Sequence, residues 1–80
     1  MATLLKSNGK RVEDVDISTL KAMQEIVGGY IEIVYLPEGK CLIINEEGNL
    51  FGLPLNQQAT ELYGHPIVGE VIYAQSSEIN

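Results

Sequence analysis

Asn56, Thr60 and Tyr63 recur at the spacing that places three side chains on one stripe of a helix. Their chemistry is recognition. With Asn56 at the helix cap, the backbone N–H groups near Gln57 and Gln58 are free to receive an anion. Thr60 could hydrogen-bond a ribose or phosphate, and Tyr63 could stack a base, with Tyr30 as a second ring if a hairpin brings it alongside. The stripe therefore fits a small nucleotide-like ligand. Its plain structural alternative is that Asn56 only caps the helix and Tyr63 packs in the core. Asn45 is a further polar candidate, an amide at a strand end that can turn inward and bond the neighbouring loop.

Residues suited to bond-making are scarce. Nucleophilic hydrolysis needs a reactive side chain, a base in reach and an orienting group, and the chain has one cysteine, Cys41, and one histidine, His65. Cys41 falls in an expected strand, where cysteine serves as a small buried hydrophobe. His65 sits between Gly64 and Pro66 and reads as a turn residue. Glu46 and Glu47 are adjacent at a strand end and point in opposite directions, which suits a solvated turn better than a shared metal or proton. Gly28 and Gly29 follow a helix instead of opening one, so they read as a C-cap and not as a phosphate loop. Gly39-Lys40 lacks the rest of a Walker pattern. The expectation is a protein without catalytic activity, metal or cofactor.

Eighty residues bound the chain to one domain with a small core, so subunit contact in a homodimer or higher homo-oligomer would be a useful supplement. Hydrophobic residues make up 45% and charged residues 20%, the usage of a folded globular chain. A net charge of −6 opposes binding to duplex nucleic acid or an anionic membrane. No apolar run approaches the roughly 20 residues of a membrane span. The lone cysteine and the lack of a signal-peptide pattern lead to a cytoplasmic expectation.

The positioning elements follow from local patterns. Asn8-Gly9 suggests a tight type I′ hairpin within residues 1–15. Acidic Glu13, Asp14 and Asp16 lead to a helix capped by Ser18, with Leu20, Met23, Ile26 and Val27 as its buried stripe and Gly28-Gly29 as its stop. Residues 30–36 and 41–45 form a hairpin around residues 37–40, and a turn at residues 46–49 leads to a short strand at Leu50-Phe51, giving a three-stranded meander. Asn56 caps a second helix running to about Tyr63, with Leu55, Ala59 and Leu62 as its apolar face. Residues 67–74 return as a strand, with Gly69 marking a bulge or close approach. Residues 75–80 read as a frayed tail. The order predicts an α+β domain, a small antiparallel sheet with two short helices covering one face.

Several blocks in fixed order also carry a resemblance: Val27-Gly28-Gly29-Tyr30-Ile31-Glu32, Asn45-Glu46-Glu47-Gly48, Gly52-Leu53-Pro54-Leu55-Asn56, Ala59-Thr60 and Ile67-Val68-Gly69. Over residues 20–73 the chain resembles a small family known as domain of unknown function 3846. The resemblance implies accessory biology of phages, plasmids and other mobile elements, and therefore the cytoplasm of a host cell, without implying a reaction. Family members often carry arginine just after the asparagine of the Leu-Pro-x-Asn block. Gln57 and Gln58 stand there in this chain.

Together these readings lead to a non-catalytic accessory protein that modulates a host or counters its defences. Sequestration of a small nucleotide-like signal is the first expectation. The alternative is an inhibitor or adaptor that meets a host protein through an acidic surface or an exposed sheet edge. Acids spread over the whole chain do not form the dense series of a DNA mimic.

Overall fold

The computed structural model describes residues 2–79. Five strands, β1 (Ala2–Leu5), β2 (Arg11–Val15), β3 (Ile31–Tyr35), β4 (Lys40–Asn45) and β5 (Val71–Gln75), form one antiparallel sheet in the order β2-β1-β5-β4-β3. Two helices, α1 (Leu20–Val27) and α2 (Gln57–Tyr63), complete an α+β fold. The last strand is the central one: β5 pairs β1 on one side and β4 on the other. The local meander is thus limited to β3-β4, and the place expected for a strand at Leu50-Phe51 is taken by β5. Residues 47–53 instead close on themselves through Phe51 N–H to Glu47 O and Leu53 N–H to Gly48 O, both at 3.2 Å.

The helices lie on opposite faces of the sheet, which corrects the one-sided arrangement. Alternation along β4 and β5 shows why. Cys41, Ile43, Ile72 and Ala74 pack with Met23 and Val27 of α1, whereas Leu42 and Val71 pack with Ala59 of α2 and with Ile67. A strand covered on both faces needs apolar residues at consecutive positions, and Cys41, Leu42 and Ile43 are all fully buried. Each helix consequently spends few apolar residues on its contact. Leu20 at 55% exposure and Leu55 at 53% stay outside the stripes expected of them, and Leu62 is also exposed.

Helix entry and exit are decided by side-chain hydrogen bonds. Ser18 gives its N–H to Asp16 Oδ1 at 2.9 Å, so the N-cap passes to Thr19, whose hydroxyl accepts from Ala22 N–H at 3.0 Å. The Ser18 hydroxyl and backbone N–H hold the Asp16 carboxyl below the usual carboxylate range. Gly28 ends α1 in the left-handed region at φ +85, and Gly64 ends α2 at φ +88. The first hairpin turn is longer than a two-residue type I′ turn: Lys6 N–H bonds Lys10 O at 2.9 Å, Asn8 Oδ1 accepts from Lys10 N–H, and of Asn8 and Gly9 only Gly9 has positive φ.

Residues 75–79, expected to fray, take regular structure. Gln75 belongs to β5, and Ser76–Ile79 form a 3-10 turn. Gln75 N–H donates to Glu78 Oε2 at 2.8 Å, the Ser76 hydroxyl donates to Lys40 O, and Ile79 packs on the core beside α1. A polar composition hid this single apolar anchor. Asn80 lies outside the described residues.

Two outcomes follow from the packing. Gly69 has φ +82, and a Cβ there would lie 2.8 Å from Leu53 Cδ1, whereas a Cβ at Gly9, φ +93, meets nothing within 4 Å. Gly69→Ala should therefore cost about 1–3 kcal/mol for backbone strain plus a steric increment, and Gly9→Ala the strain alone. Urea unfolding of the two variants measures the difference; equal losses would show that the approach of Leu53 is soft. Burial pushes the Cys41 thiol up from its ordinary value. Cys41 should resist a thiol reagent at mildly alkaline pH in the native protein and react promptly in denaturant.

Candidate functional site

The six residues expected to bind fall into two separate groups. Asn56, Gln57, Thr60 and Tyr63 lie on or at the cap of α2, while Tyr30 follows the end of α1 and Asn45 ends β4. Glu46 N–H bonds Tyr30 O at 2.9 Å, which fixes the second group.

On α2 the stripe runs from buried Asn56 through half-buried Thr60 to exposed Tyr63, and its first two polar groups are occupied by the protein itself. Asn56 is fully buried. Its Nδ2 donates to Leu5 O at 2.7 Å and Gly69 O at 2.8 Å, and its Oδ1 accepts from Ala59 N–H at 3.1 Å. All of its amide's polar atoms are thereby used in joining β1, the approach to β5 and α2. The Thr60 hydroxyl accepts from Ile67 N–H at 3.0 Å and donates to Ile67 O at 3.3 Å. Gln57 is exposed and donates to Glu61 Oε2 at 3.3 Å. Tyr63 is 41% exposed, with its ring tilted against His65 at a centroid distance of 5.2 Å. Gln58, for which sequence reading gave only a backbone role, clamps the helix to the first hairpin. It accepts from Arg11 Nε at 2.8 Å and donates weakly to Lys6 O and Lys10 O.

In the second group Tyr30 faces outward and Asn45 inward. Asn45 Nδ2 donates to Val27 O at 3.0 Å, and its Oδ1 accepts from Glu47 N–H at 2.8 Å. One buried amide therefore ties the end of α1 to the turn after β4. Gly29 allows this: a Cβ there would come within 3.2 Å of Asn45 Nδ2. Between the two tied segments lies a cleft of about 280 Å³ lined by Gln24, Gly28, Gly29, Tyr30, Glu47 and Phe51. Tyr30 is 66% exposed, Phe51 59% and the adjacent Leu50 80%.

Sequence reading missed Phe51 and Leu50 as surface residues because it placed them in a strand. The available signal was their position between Gly48 and Gly52, a span with turn residues at both ends. Cys41 and His65 are not a working pair, since the thiol is buried in the core under α1 while the imidazole is exposed beside Tyr63. Among the described residues no three His, Cys, Asp or Glu side chains gather into a metal-binding group.

The Asn56 amide supplies a sharp test of its role as a clamp. Asn56→Ala strands two buried carbonyls and one N–H, so stability should fall by about 3 kcal/mol or more. Asn56→Asp keeps the cap acceptor but sets a carboxylate oxygen against the carbonyls of Leu5 and Gly69. Its folded-state pKa would be raised, so the folded form binds the extra proton. The stability of this variant should then be highest in acid and fall as pH rises through that pKa, a trend that unfolding curves across the acid range would reveal. Tyr63→Ala should be nearly neutral.

No curated protein and no solved structure matches the chain. The profile of the family described as "Domain of unknown function (DUF3846)" matches residues 1–79, extending the resemblance on both sides of the blocks that suggested it. The chain belongs to that family.

Proposed function

We propose that this chain is a non-catalytic binding protein whose target is another protein, engaged through the Tyr30, Leu50 and Phe51 surface. The single observation that carries this reading is the exposure of Tyr30 and Phe51 on a cleft between segments tied by Asn45, with exposed Leu50 next to Phe51 in the chain. Aromatic residues held in place by buried hydrogen bonds make low-entropy anchors for a protein partner. Large apolar side chains gathered on a surface segment also carry a solvation cost that a partner would relieve.

The nucleotide-sequestration alternative has less support. Its two central polar groups, the Asn56 amide and the Thr60 hydroxyl, already bond within the fold, and a ligand would have to displace those bonds. In the mobile-element setting that the family resemblance implies, the protein target belongs to the host, and the activity is inhibition or redirection of that target.

Capture from a bacterial lysate on immobilised wild-type and variant chains, read by quantitative mass spectrometry, checks this reading. A stoichiometric partner should be retained by wild type and by Tyr63→Ser. It should be lost by tenfold or more from Phe51→Ser and Tyr30→Ser, since an anchor residue contributes about 2 kcal/mol or more. Both substituted residues are exposed, so thermal unfolding should stay near wild type. Retention by Phe51→Ser with loss from Tyr63→Ser, or a thermal shift with a linear or cyclic nucleotide, would transfer the site to α2.

A further inference from the structure

The two edges of the sheet are built differently. At β2 the edge is blunted: Arg11, Glu13 and Asp14 line it, Asp14 has φ 58, and the register with β1 slips between Ala2 and Thr3. Charges and a bulge are the devices that keep an edge strand from recruiting another. β3 has neither. It runs Ile31-Glu32-Ile33-Val34-Tyr35 in unbroken register with β4, and Glu32 is its only charge.

Hydrogen bonding identifies the free groups. Glu46 N–H bonds Tyr30 O and Leu36 N–H bonds Lys40 O, so the even-numbered residues of this stretch direct their backbone groups toward β4. The N–H and C=O groups of Ile31, Ile33 and Tyr35 therefore point away from the sheet. Among the described residues none of these six groups has a hydrogen-bond partner, and β3 ends the strand order. α1 does not cover them, because it lies over β4 with β3 and β5 to either side.

We infer that β3 pairs with β3 of a second copy, antiparallel about a two-fold axis at Ile33, to make a continuous sheet across a homodimer. One register is singled out. With Ile33 opposite Ile33, Ile31 faces Tyr35 of the second copy, and all three outward N–H and all three outward C=O groups of each chain are satisfied at once. The same register sets Glu32 opposite Val34 of the second copy, so no carboxylate faces another. Sliding one residue pair toward the amino terminus would set Glu32 against Glu32 and leave outward groups unpaired. Sliding the other way removes that repulsion but also loses bonds.

Ile31 and Tyr35 become a cross-strand aliphatic–aromatic pair on the face that holds α1, a favourable combination. Tyr35, like Tyr30, is 66% exposed in the single chain. Aromatic side chains cover roughly 150–250 Å² apiece. The tyrosines of two copies together with the paired strands approach the roughly 1,000 Å² at which a specific interface becomes tenable. A net charge of −6 on each copy works against association, so the dimer should be reversible and strengthened by salt. The register also sets Tyr30 opposite Leu36 of the second copy, so each aromatic cleft would be flanked by the other chain's β3-β4 turn. The pairing itself rests on the edge alone and is independent of what that cleft binds.

Sedimentation of the wild-type chain from micromolar to millimolar concentration should show the mass rising from monomer to dimer, with a tighter dimer at higher salt. Ile33→Pro removes an outward N–H without removing a bond to β4, and should leave a folded monomer by circular dichroism. Cysteine crosslinking tests the register without relying on that variant. Glu32→Cys mixed with Val34→Cys should give disulfide-linked dimers under oxidation, because directly opposed non-bonded positions have the separation a disulfide needs, whereas Glu32→Cys alone should not, its diagonal partner lying too far away. Buried Cys41 does not compete. A monomeric mass over the whole range, or crosslinking of Glu32→Cys alone as efficient as that of the mixture, would overturn the proposal.

Discussion

The Asn56 carboxamide is the interaction on which the rest of the fold depends. β1 reaches its last sheet pair at Leu5 opposite Val71, so a carbonyl at the end of β1 and another at Gly69 converge where the ladder has run out. Backbone carbonyls brought together without donors repel and lose hydration. One NH₂ group supplies both donors, and the oxygen of the same amide starts α2 by capping Ala59 N–H. A short helix has little stability of its own, because nucleation costs more than a few backbone bonds return. α2 exists because Asn56 is held from the sheet side, and Ala59 then packs onto Leu42 and Val71. Neither a carboxylate nor a hydroxyl could replace the amide, since the site needs two donors and one acceptor from one side chain.

Asn45 repeats this logic on the other face with its polarity reversed. It donates to a carbonyl at the end of α1 and accepts from the turn that follows β4. Each helix is thus fastened to the sheet by one buried asparagine, α2 at its start and α1 at its end. These are the two buried polar residues among those described, and no buried side-chain polar atom there lacks a partner. A chain with so small a core gains specificity from such pairs, since a displaced helix would leave buried amide atoms unsatisfied. Hydrophobic contact alone would tolerate sliding.

The sequence was informative where a signal is local. Asn56 as a cap, Gly28 and Gly64 as helix ends, and the hairpin formed by β3 and β4 follow from single residues and their immediate neighbours. The central position of β5 did not, because a strand separated from β1 by most of the chain pairs with it through contacts that no local pattern encodes. That one non-local pairing displaced the expected strand at Leu50-Phe51 and set the helices on opposite faces. The consecutive buried residues Cys41, Leu42 and Ile43 were the available clue, since a strand covered on one face alternates. The site stripe was legible as a periodicity but not in its meaning. Helical spacing places Asn56, Thr60 and Tyr63 on one face without saying whether that face meets solvent or the sheet.

The surface follows from the same division of labour. With β4 and β5 covered on both faces and both asparagines spent on internal bonds, the central sheet offers little to a partner. Among the outward features are the free edge of β3 and the turn that carries Leu50 and Phe51, next to the corner that Asn45 holds. A turn holds large apolar side chains outward only if its backbone is fixed from beneath, since a mobile one would fold them inward. Asn45 supplies the support at Glu47 N–H, and Leu53, lodged against Gly48 and Gly69, supplies it from the other end. The buried amide that closes α1 thus also holds the turn that carries Leu50 and Phe51, so a change at Asn45 disturbs the helix end and this surface together.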